Sequence, residues 1–467
     1  MGGKPPFSFA RFRSGLLGNL GAQSSALFVQ LIVALITVPV FAWAWGIEAY
    51  GVWLILYSLP AYLVLADLGY PAAAAIEMAS LVAKGDRQQA SQLFRQTTGM
   101  AITGAVLILL LVASALHLWG NHWLSFLPKA VELGGELTVT LLAAFAMAGI
   151  VTRALFAALR ATGHFATGIY IIALTALINV LLAGGMALAG FGLPGAAAGY
   201  LLGEVAGTCI MGLAVRRLAP DMQPAFLPKG VSMLFSLSAP ALGLVFVLIG
   251  HALVLQGSVM VLGLVAGAAA VPAFVAARTL ARLGIQAVGV VNLAINPELT
   301  FARSRNDTER SADLVATNLI IAVLLLIPGA ILFALLGREI IQIWSGGIIE
   351  ASASLIIVMA LVMLVGGLWG PLAGFLTAEN RQATFAYAFT VFAALGVLIA
   401  SVLSNAYAAT GTTAAMLLID LAMLAWTYRK ARHAGFFDEQ SLLHSPLRTL
   451  DFLRSRLGRR NGDRAEQ

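Results

Sequence analysis

Near-continuous apolar runs, such as Ala26 to Phe41, Ile102 to Leu116 and Leu319 to Leu336, alternate with short polar clusters along the whole chain. The runs do not show the in-out alternation of a membrane β-strand, which excludes a barrel. They are also too long and too apolar for the core helices of a soluble domain. Each crossing needs roughly 20 mostly apolar residues. The pattern predicts helical spans near 17–43, 50–83, 94–118, 137–160, 166–189, 195–215, 231–253, 260–302, 313–336, 351–376, 383–404 and 410–428. The second and eighth exceed a straight crossing. They carry Pro60 and Pro71, and Pro272 and Gly284, and are expected to be kinked. The expected fold is therefore all-α, a polytopic membrane protein of about twelve transmembrane helices.

Composition agrees: mean hydropathy is +0.91 and only 10% of residues are charged, too few to surface a soluble chain. The placement of the 28 Lys and Arg sets the expected orientation. Lys84, Arg87, Arg95, Arg160, Arg216, Arg217, Lys229, Arg303, Arg305, Arg310 and Arg381 follow even-numbered spans or precede odd-numbered ones. Lys4, Arg11 and Arg13 precede the first span, and nine more fill the tail from Arg429 to Arg464. Only Lys129 and Arg338 fall on the other side, so both termini are expected in the cytoplasm. The first span resembles a signal peptide but is too long for one, and is expected to be retained. Cys209 is the sole cysteine and lies in a span, leaving no disulfide or cysteine metal site. No cofactor or metal is expected. Trp43, Trp45, Trp53, Trp119, Trp123, Trp344 and Trp426 near span ends suit interfacial belts.

A shift of about 217 residues brings the chain into weak self-register. Gly46 to Gly51 falls on Gly263 to Ala268, Ala166-Thr167 on Ala383-Thr384, and Glu204 within one residue of Asp420. Lys84 to Arg87 falls near Arg305 to Thr308, four residues out of register. An even number of spans per copy gives both copies the same orientation. The expected organisation is a six-helix half over 14–217, a linker over 218–230 with Pro220, Pro224 and Pro228, a second half over 231–430, and a basic tail over 431–467. Two parallel halves around a central cavity form a transporter architecture. In the tail, Leu443, Leu447, Leu450, Leu453 and Leu457 recur at helical spacing among arginines, either as an amphipathic helix on anionic lipid or as a solvated tail.

Ionisable groups at membrane depth face a bundle interior or a wet cavity. Three arginines violate the topology pattern: Arg153, Arg278 and Arg282. At about 100° per residue, Arg278, Arg282, Gln286, Asn292 and Asn296 share one stripe of the eighth span. It either lines a cavity or surfaces into the cytosol. Asn19, Gln23, Gln30 and Thr37 form a seam on the first span, lining a cavity or bonding between helices. Candidate substrate-contacting residues are thus Arg153, Arg278, Arg282, Asn19, Gln23, Gln30 and Gln286. Candidate coupling or gating acids are Asp67, Glu77, Glu204 and Asp420. Asp67 either satisfies backbone freed by the kink or pairs with Arg282, its near-equivalent in the repeat. Glu77 is placed to pair with Lys84. Structural hydrogen bonding is the competing role for Glu204 and Asp420.

Several landmarks carry a family resemblance: Glu48-Ala49-Tyr50-Gly51, Ala66-Asp67-Leu68-Gly69, Lys84-Gly85-Asp86, Phe156 to His164, Gly192-Leu193-Pro194-Gly195 and Gly263 to Gly267. In order and spacing, from Ser14 to Arg432, the chain resembles the polysaccharide-transporter branch (Wzx-like flippases) of the multidrug/oligosaccharidyl-lipid/polysaccharide exporter superfamily. The resemblance implies a flippase moving an undecaprenyl-pyrophosphate-linked oligosaccharide across a bacterial inner membrane by alternating access around a cationic cavity. Expected partners are that lipid-linked oligosaccharide, anionic lipids at the tail and polysaccharide assembly proteins, with no nucleic acid. Many relatives carry an acid near the position of Gln256 to Ser258, which is neutral here. Two alternatives compete: a drug/cation antiporter of the same superfamily, and a polytopic glycosyltransferase or polymerase. The antiporter would favour acids over arginines. The enzyme would need an acidic or metal-binding outer loop, and the longest, near 117–136, offers only His117, His122, Glu132 and Glu136.

Overall fold

The apolar runs fold into helices, and glycines mark several of the places where those helices break. In the computed structural model, residues 9–123, 127–227, 245–246, 248–305, 307–378 and 382–433 are described. Part of the expected linker, most of the seventh span and the basic tail lie outside the described residues. The elements are α1 (Phe9–Leu63), α2 (Tyr70–Ala83), α3 (Arg87–Trp123), α4 (Pro128–Glu132), α5 (Gly135–Ala161), α6 (Phe165–Leu188) and α7 (Gly192–Leu218). They continue with α8 (Ser258–Ala266), α9 (Val271–Ser304), α10 (Thr308–Trp344), α11 (Ala353–Ala378) and α12 (Gln382–His433). No strand occurs among the described residues. Among the described residues, ten helical stretches are long and apolar enough to cross a membrane. Two of these, Gly21–Asp67 and Thr384–His433, run to 47 and 50 residues, each long enough for two crossings, and each is broken once inside, at Gly46 and Ala408. Outward-facing Leu111, Leu335 and Val402 are about as exposed as a side chain can be on a helix that faces lipid.

The chain divides into two units, Met1–Ala252 and Leu253–Gln467. Arg87, Gly135 and Phe165 open helices in the first, and Thr308, Ala353 and Gln382 open helices in the second, 221, 218 and 217 residues later. The four-residue slip seen in the sequence is thus confined to the early helices of each unit. It also corrects the first match: Gly46 corresponds to Gly267, not Gly263. Both sit in the same glycine-only conformation, φ 74° and ψ 175° at Gly46, φ 89° and ψ 159° at Gly267. A Cβ at either would meet nothing within 4 Å, so the requirement is purely one of backbone. Gly267→Ala is expected to cost about 1–3 kcal/mol, read as a lower Tm of the detergent-solubilised protein. An unchanged Tm would show that the break has some other origin.

The break at Gly267 moves two boundaries. The seventh span runs on through a π-turn (Leu253–Gly257) and α8 to Ala266, and α9 begins at Val271, eleven residues after the expected start. Pro272 lies in the first turn of α9, where its missing N–H costs nothing, and α9 continues unbroken through Gly284. The kink expected at Gly284 is absent because helical backbone suits a glycine there. The second span breaks where expected, in a 3-10 turn over Val64–Asp67 followed by left-handed Leu68 and Gly69.

Helices α2, α3, α5 and α7 close around Ala74, Met78, Leu93, Phe94, Ala158, Leu159, Met211 and Val215. Tighter still is the packing of α7 on α6. A Cβ on Gly199 would lie 2.6 Å from the backbone of Ala183; on Gly203, 2.9 Å from Cα of Asn179; and on Gly207, against the side chain of Thr175. Glycine at every fourth position lets the two backbones touch, and dispersion over that contact substitutes for the hydrophobic drive that lipid cannot supply. In the second unit, Leu299, Val315, Leu372, Leu376 and Ala431 form one cluster, and Phe389, Ile419 and Met423 another.

Candidate functional site

The α6–α7 contact brings polar side chains together inside the first unit. Glu204, on α7, is 9% exposed. Its Oε1 accepts from Thr152 Oγ1 of α5 at 3.0 Å, and its Oε2 accepts from Asn179 Nδ2 of α6 at 3.0 Å. Thr208, one turn along α7, donates to the Glu204 carbonyl at 2.8 Å and lies 2.7 Å from Thr152 Oγ1. The buried carboxylate is thereby held by neutral donors from two neighbouring helices, α5 and α6. Glu204→Ala is expected to cost about 1–3 kcal/mol by leaving the buried Asn179 amide without its acceptor, whereas Glu204→Gln keeps the shape. Thermal unfolding of the two variants side by side checks this, and equal Tm values would remove Glu204 from the network.

Next to Thr152, Arg153 reaches the other way. Its Nε donates to Asp67 Oδ2 at 3.0 Å, with the Asp67 side chain 7% exposed and that of Arg153 37%. Asp67 Oδ1 accepts the Gly69 N–H at 2.8 Å. Asp67 therefore does satisfy backbone at the break, and its cation is Arg153 of the same unit rather than Arg282, the partner weighed from the repeat. The reason is local: the 3-10 turn ending at Asp67 packs on α5, one turn from the Glu204 network. Arg153 Nη2 is buried with no hydrogen-bond partner. Arg153 Nη1 and Glu204 Oε1 each lie 3.6 Å from the point a Cβ on Gly149 would occupy, so Gly149 keeps the space between them open. Beside Asp67, a cavity of about 70 Å³ is lined by Tyr70, Pro71, Thr97, Met100 and Ile150, enough for water but not for a large solute.

The seam on α1 is only partly described. Asn19 lies on α1, its side chain outside the described residues. Gln23 and Gln30 are exposed and bond to no other described helix, and Thr37 donates to Val33 of its own helix at 2.6 Å. Glu77 is half-buried on α2, and the ion pair weighed with Lys84 does not form. Trp43 is 75% exposed, but Trp53 is buried, stacked among Phe41, Trp45, Tyr57 and Tyr200. Tyr57 and Tyr200 meet Phe145 at the end of this aromatic wall, with Tyr200 one turn before Glu204.

In the second unit the α9 stripe splits by environment. Arg278 is buried, its Nη1 donates to the Leu255 carbonyl of the π-turn, and its guanidinium lies 5.1 Å from the centroid of Phe274. Arg282, one turn on, is exposed and makes no hydrogen bond or ion pair with any described residue. It lies about 17 Å along α9 from Val271 at 1.5 Å per residue, inside the apolar stretch Ala268–Ser304 that is long enough to cross a membrane. Gln286 is half-buried. Asn292 Oδ1 accepts from Asn318 Nδ2 of α10 at 2.7 Å, which takes it into helix packing. Asp420 on α12 accepts from Trp369 Nε1 of α11 at 3.0 Å. Among the described residues, no group of three His, Cys, Asp or Glu is placed to hold a metal.

Solved structures share this fold. A multidrug resistance MATE family transporter of the MOP superfamily, inward-facing, superposes with TM-score 0.72 at 14% identity over 86% of this chain and 94% of its own. The lipid II flippase MurJ, inward closed, gives TM-score 0.70 at 14% identity, over 92% of this chain and 91% of its own. The fold is that of the MATE and MurJ transporters. A MOP superfamily transporter from Pyrococcus furiosus is similar over 94% of both chains, at TM-score 0.56 and 14% identity. No family model and no curated protein matches the sequence. Within the transporter fold, Thr152, Asn179, Thr208 and Trp369 are site residues that sequence reasoning did not select. Their signals were present: Thr208 stands one turn from Glu204, and Asn179 is the lone amide in α6.

Proposed function

We propose that this membrane protein is a flippase of the polysaccharide-transporter branch, moving a polyprenyl-pyrophosphate-linked oligosaccharide across a bacterial inner membrane by alternating access. The observation that carries the proposal is Arg282, an exposed guanidinium within an apolar helix of membrane-crossing length that makes no hydrogen bond or ion pair with any described residue. Such a group is costly in lipid and is retained where an anion or a wet path meets it. A pyrophosphate matches its bidentate donor geometry. Arg153, with one nitrogen on Asp67 and another unpaired, is the second anion contact. Arg278, Gln286, Gln23, Gln30 and Asn19 extend the polar path in this proposal. Glu204 and Asp420 couple the cycle to a cation, and Asp67 and Glu77 gate it. Both termini face the cytoplasm, the two six-helix halves rock about the cargo, and the basic tail rests on anionic lipid beside the polysaccharide assembly proteins. Support comes from the lipid II flippase MurJ, whose fold this chain shares.

The test is reconstitution. Proteoliposomes holding the protein and a fluorescent polyprenyl-pyrophosphate oligosaccharide should move the label between leaflets, read by quencher accessibility. Label that stays in one leaflet would overturn the proposal. Drug/cation antiport is the second reading, favoured by the buried acid Glu204, the half-buried acid Asp420 and the MATE transporter of the same fold. It would show as proton- or sodium-driven uptake of ethidium by the same vesicles.

A further inference from the structure

Away from the buried network, the first unit holds an open groove of about 620 Å³, lined by Arg87, Gln88, Ser91, Gln92, Arg95 and Asp221. That volume is in the range of small-molecule sites, about 300–1,000 Å³. Five of its six side chains come from the first turns of α3. At 37 residues, α3 is about 55 Å long, well beyond a hydrocarbon core of roughly 30 Å. Its first turns therefore project to the level of headgroups and water. They are also its electropositive end, where backbone N–H groups and the helix dipole favour an anion.

The sixth side chain comes from the segment after α7. Arg87 Nη1 donates to Asp221 Oδ2 at 2.6 Å, and Ser91 Oγ donates to the Asp221 carbonyl at 2.8 Å. Further along, the Ala225 N–H donates to Thr98 Oγ1 at 3.1 Å, while Ala219, Met222 and Ala225 are buried. Residues 219–227 thus run as a strap beside α3, with the Asp221 carboxylate in the groove. The side chain of Arg95, two turns beyond Arg87 on the same face, makes no hydrogen bond or ion pair with a described residue. The one carboxylate present faces two guanidiniums, two amides and a hydroxyl, a donor set in excess of what it can use.

We propose that this groove is a binding site for phosphate groups, in which the Asp221 carboxylate is the resident stand-in and is displaced when a phosphate or diphosphate enters. The side chains of the Arg87–Asp221 pair are 71% and 55% exposed, and an ion pair that open to solvent holds weakly. A phosphate brings more charge and three acceptor oxygens, and can bridge Arg87, Ser91 and Arg95 at once. Displacing Asp221 releases the start of the strap while the buried Met222 and Ala225 hold its remainder. The proposal is independent of the cargo identity, since no groove residue belongs to the membrane-depth set.

The experiment uses the full chain with Cys209→Ser and a spin label on Pro220→Cys, an exposed position beside Asp221 at the start of the strap. Two arms distinguish the source of the phosphate. In detergent, sodium pyrophosphate is titrated. In nanodiscs, phosphatidylglycerol is compared with phosphatidylcholine alone. A rise in label mobility in either arm is expected, the first meaning a soluble phosphate and the second a lipid headgroup. Arg95→Ala should raise the half-saturating concentration at least about ten-fold, the loss of one charge-assisted contact. Asp221→Asn should free the label without ligand and tighten binding. The protein peak on size exclusion reports that each variant is folded. An equal response to sodium chloride at matched ionic strength, no response in either arm, or unaltered binding by Arg95→Ala would overturn the proposal.

Discussion

Arg282→Glu is expected to abolish transport of the lipid-linked oligosaccharide, lowering the initial rate by about 100-fold or more. The exposed guanidinium of Arg282 has no described protein partner to satisfy it, so its interaction energy is available to the cargo. Removing one member of a desolvated charge pair costs about 3–5 kcal/mol, and the glutamate adds repulsion between like charges. Because no hydrogen bond or ion pair to a described residue is broken, the stability should stay within about 1 kcal/mol of wild type, read from Tm. Arg282→Lys keeps the charge but not the planar fork and should retain partial activity. Arg278→Ala should behave differently: it frees the Leu255 carbonyl of the π-turn and lowers Tm along with rate. A fully active Arg282→Glu protein would remove the cationic path from the mechanism.

Gly199→Leu is expected to give no folded protein. A Cβ at this position already lies 2.6 Å from the backbone nitrogen and Cα of Ala183, and backbone has no rotamer to move away with. Even Gly199→Ala should cost about 1–3 kcal/mol through forced separation of α6 from α7. The effect should spread to the site, because the same approach sets the distance between Asn179 and Glu204. The size-exclusion profile of a fluorescent fusion reads the first variant and a thermal melt reads the second. Wild-type melting of Gly199→Ala would mean that the two helices are not in backbone contact.

The spans were legible because hydrocarbon imposes a simple rule on composition, and the break near Asp67 because Gly69 and Pro71 mark it. The break at Gly267 was misplaced because its determinant is a backbone angle, and glycine is too common in this chain for one position to stand out. Arg153 was found as an exception to the charge pattern, yet its partner was not. Asp67 pairs within its own unit, and a repeat match says which residues are equivalent, not which residues touch. Thr152 and Asn179 were passed over because a threonine or an asparagine in a span is ordinary until an acid is found beside it. The glycines at 199, 203 and 207 stood in plain view at intervals of four, but only the neighbouring backbone reveals that each of them is needed.

The π-turn at Leu253–Gly257 accommodates one residue more than an α-helix of the same rise. Every side chain before it is therefore turned by about 100° relative to a continuous helix drawn back from α8. A helical wheel drawn across residues 248–266 assigns lipid-facing and interior positions wrongly on one side of the turn. Among homologues of this chain, a single deletion near Gln256 would bring the two sides into one phase, with the Leu255 carbonyl no longer offered to Arg278. Chain length there, more than residue identity, is the quantity to compare.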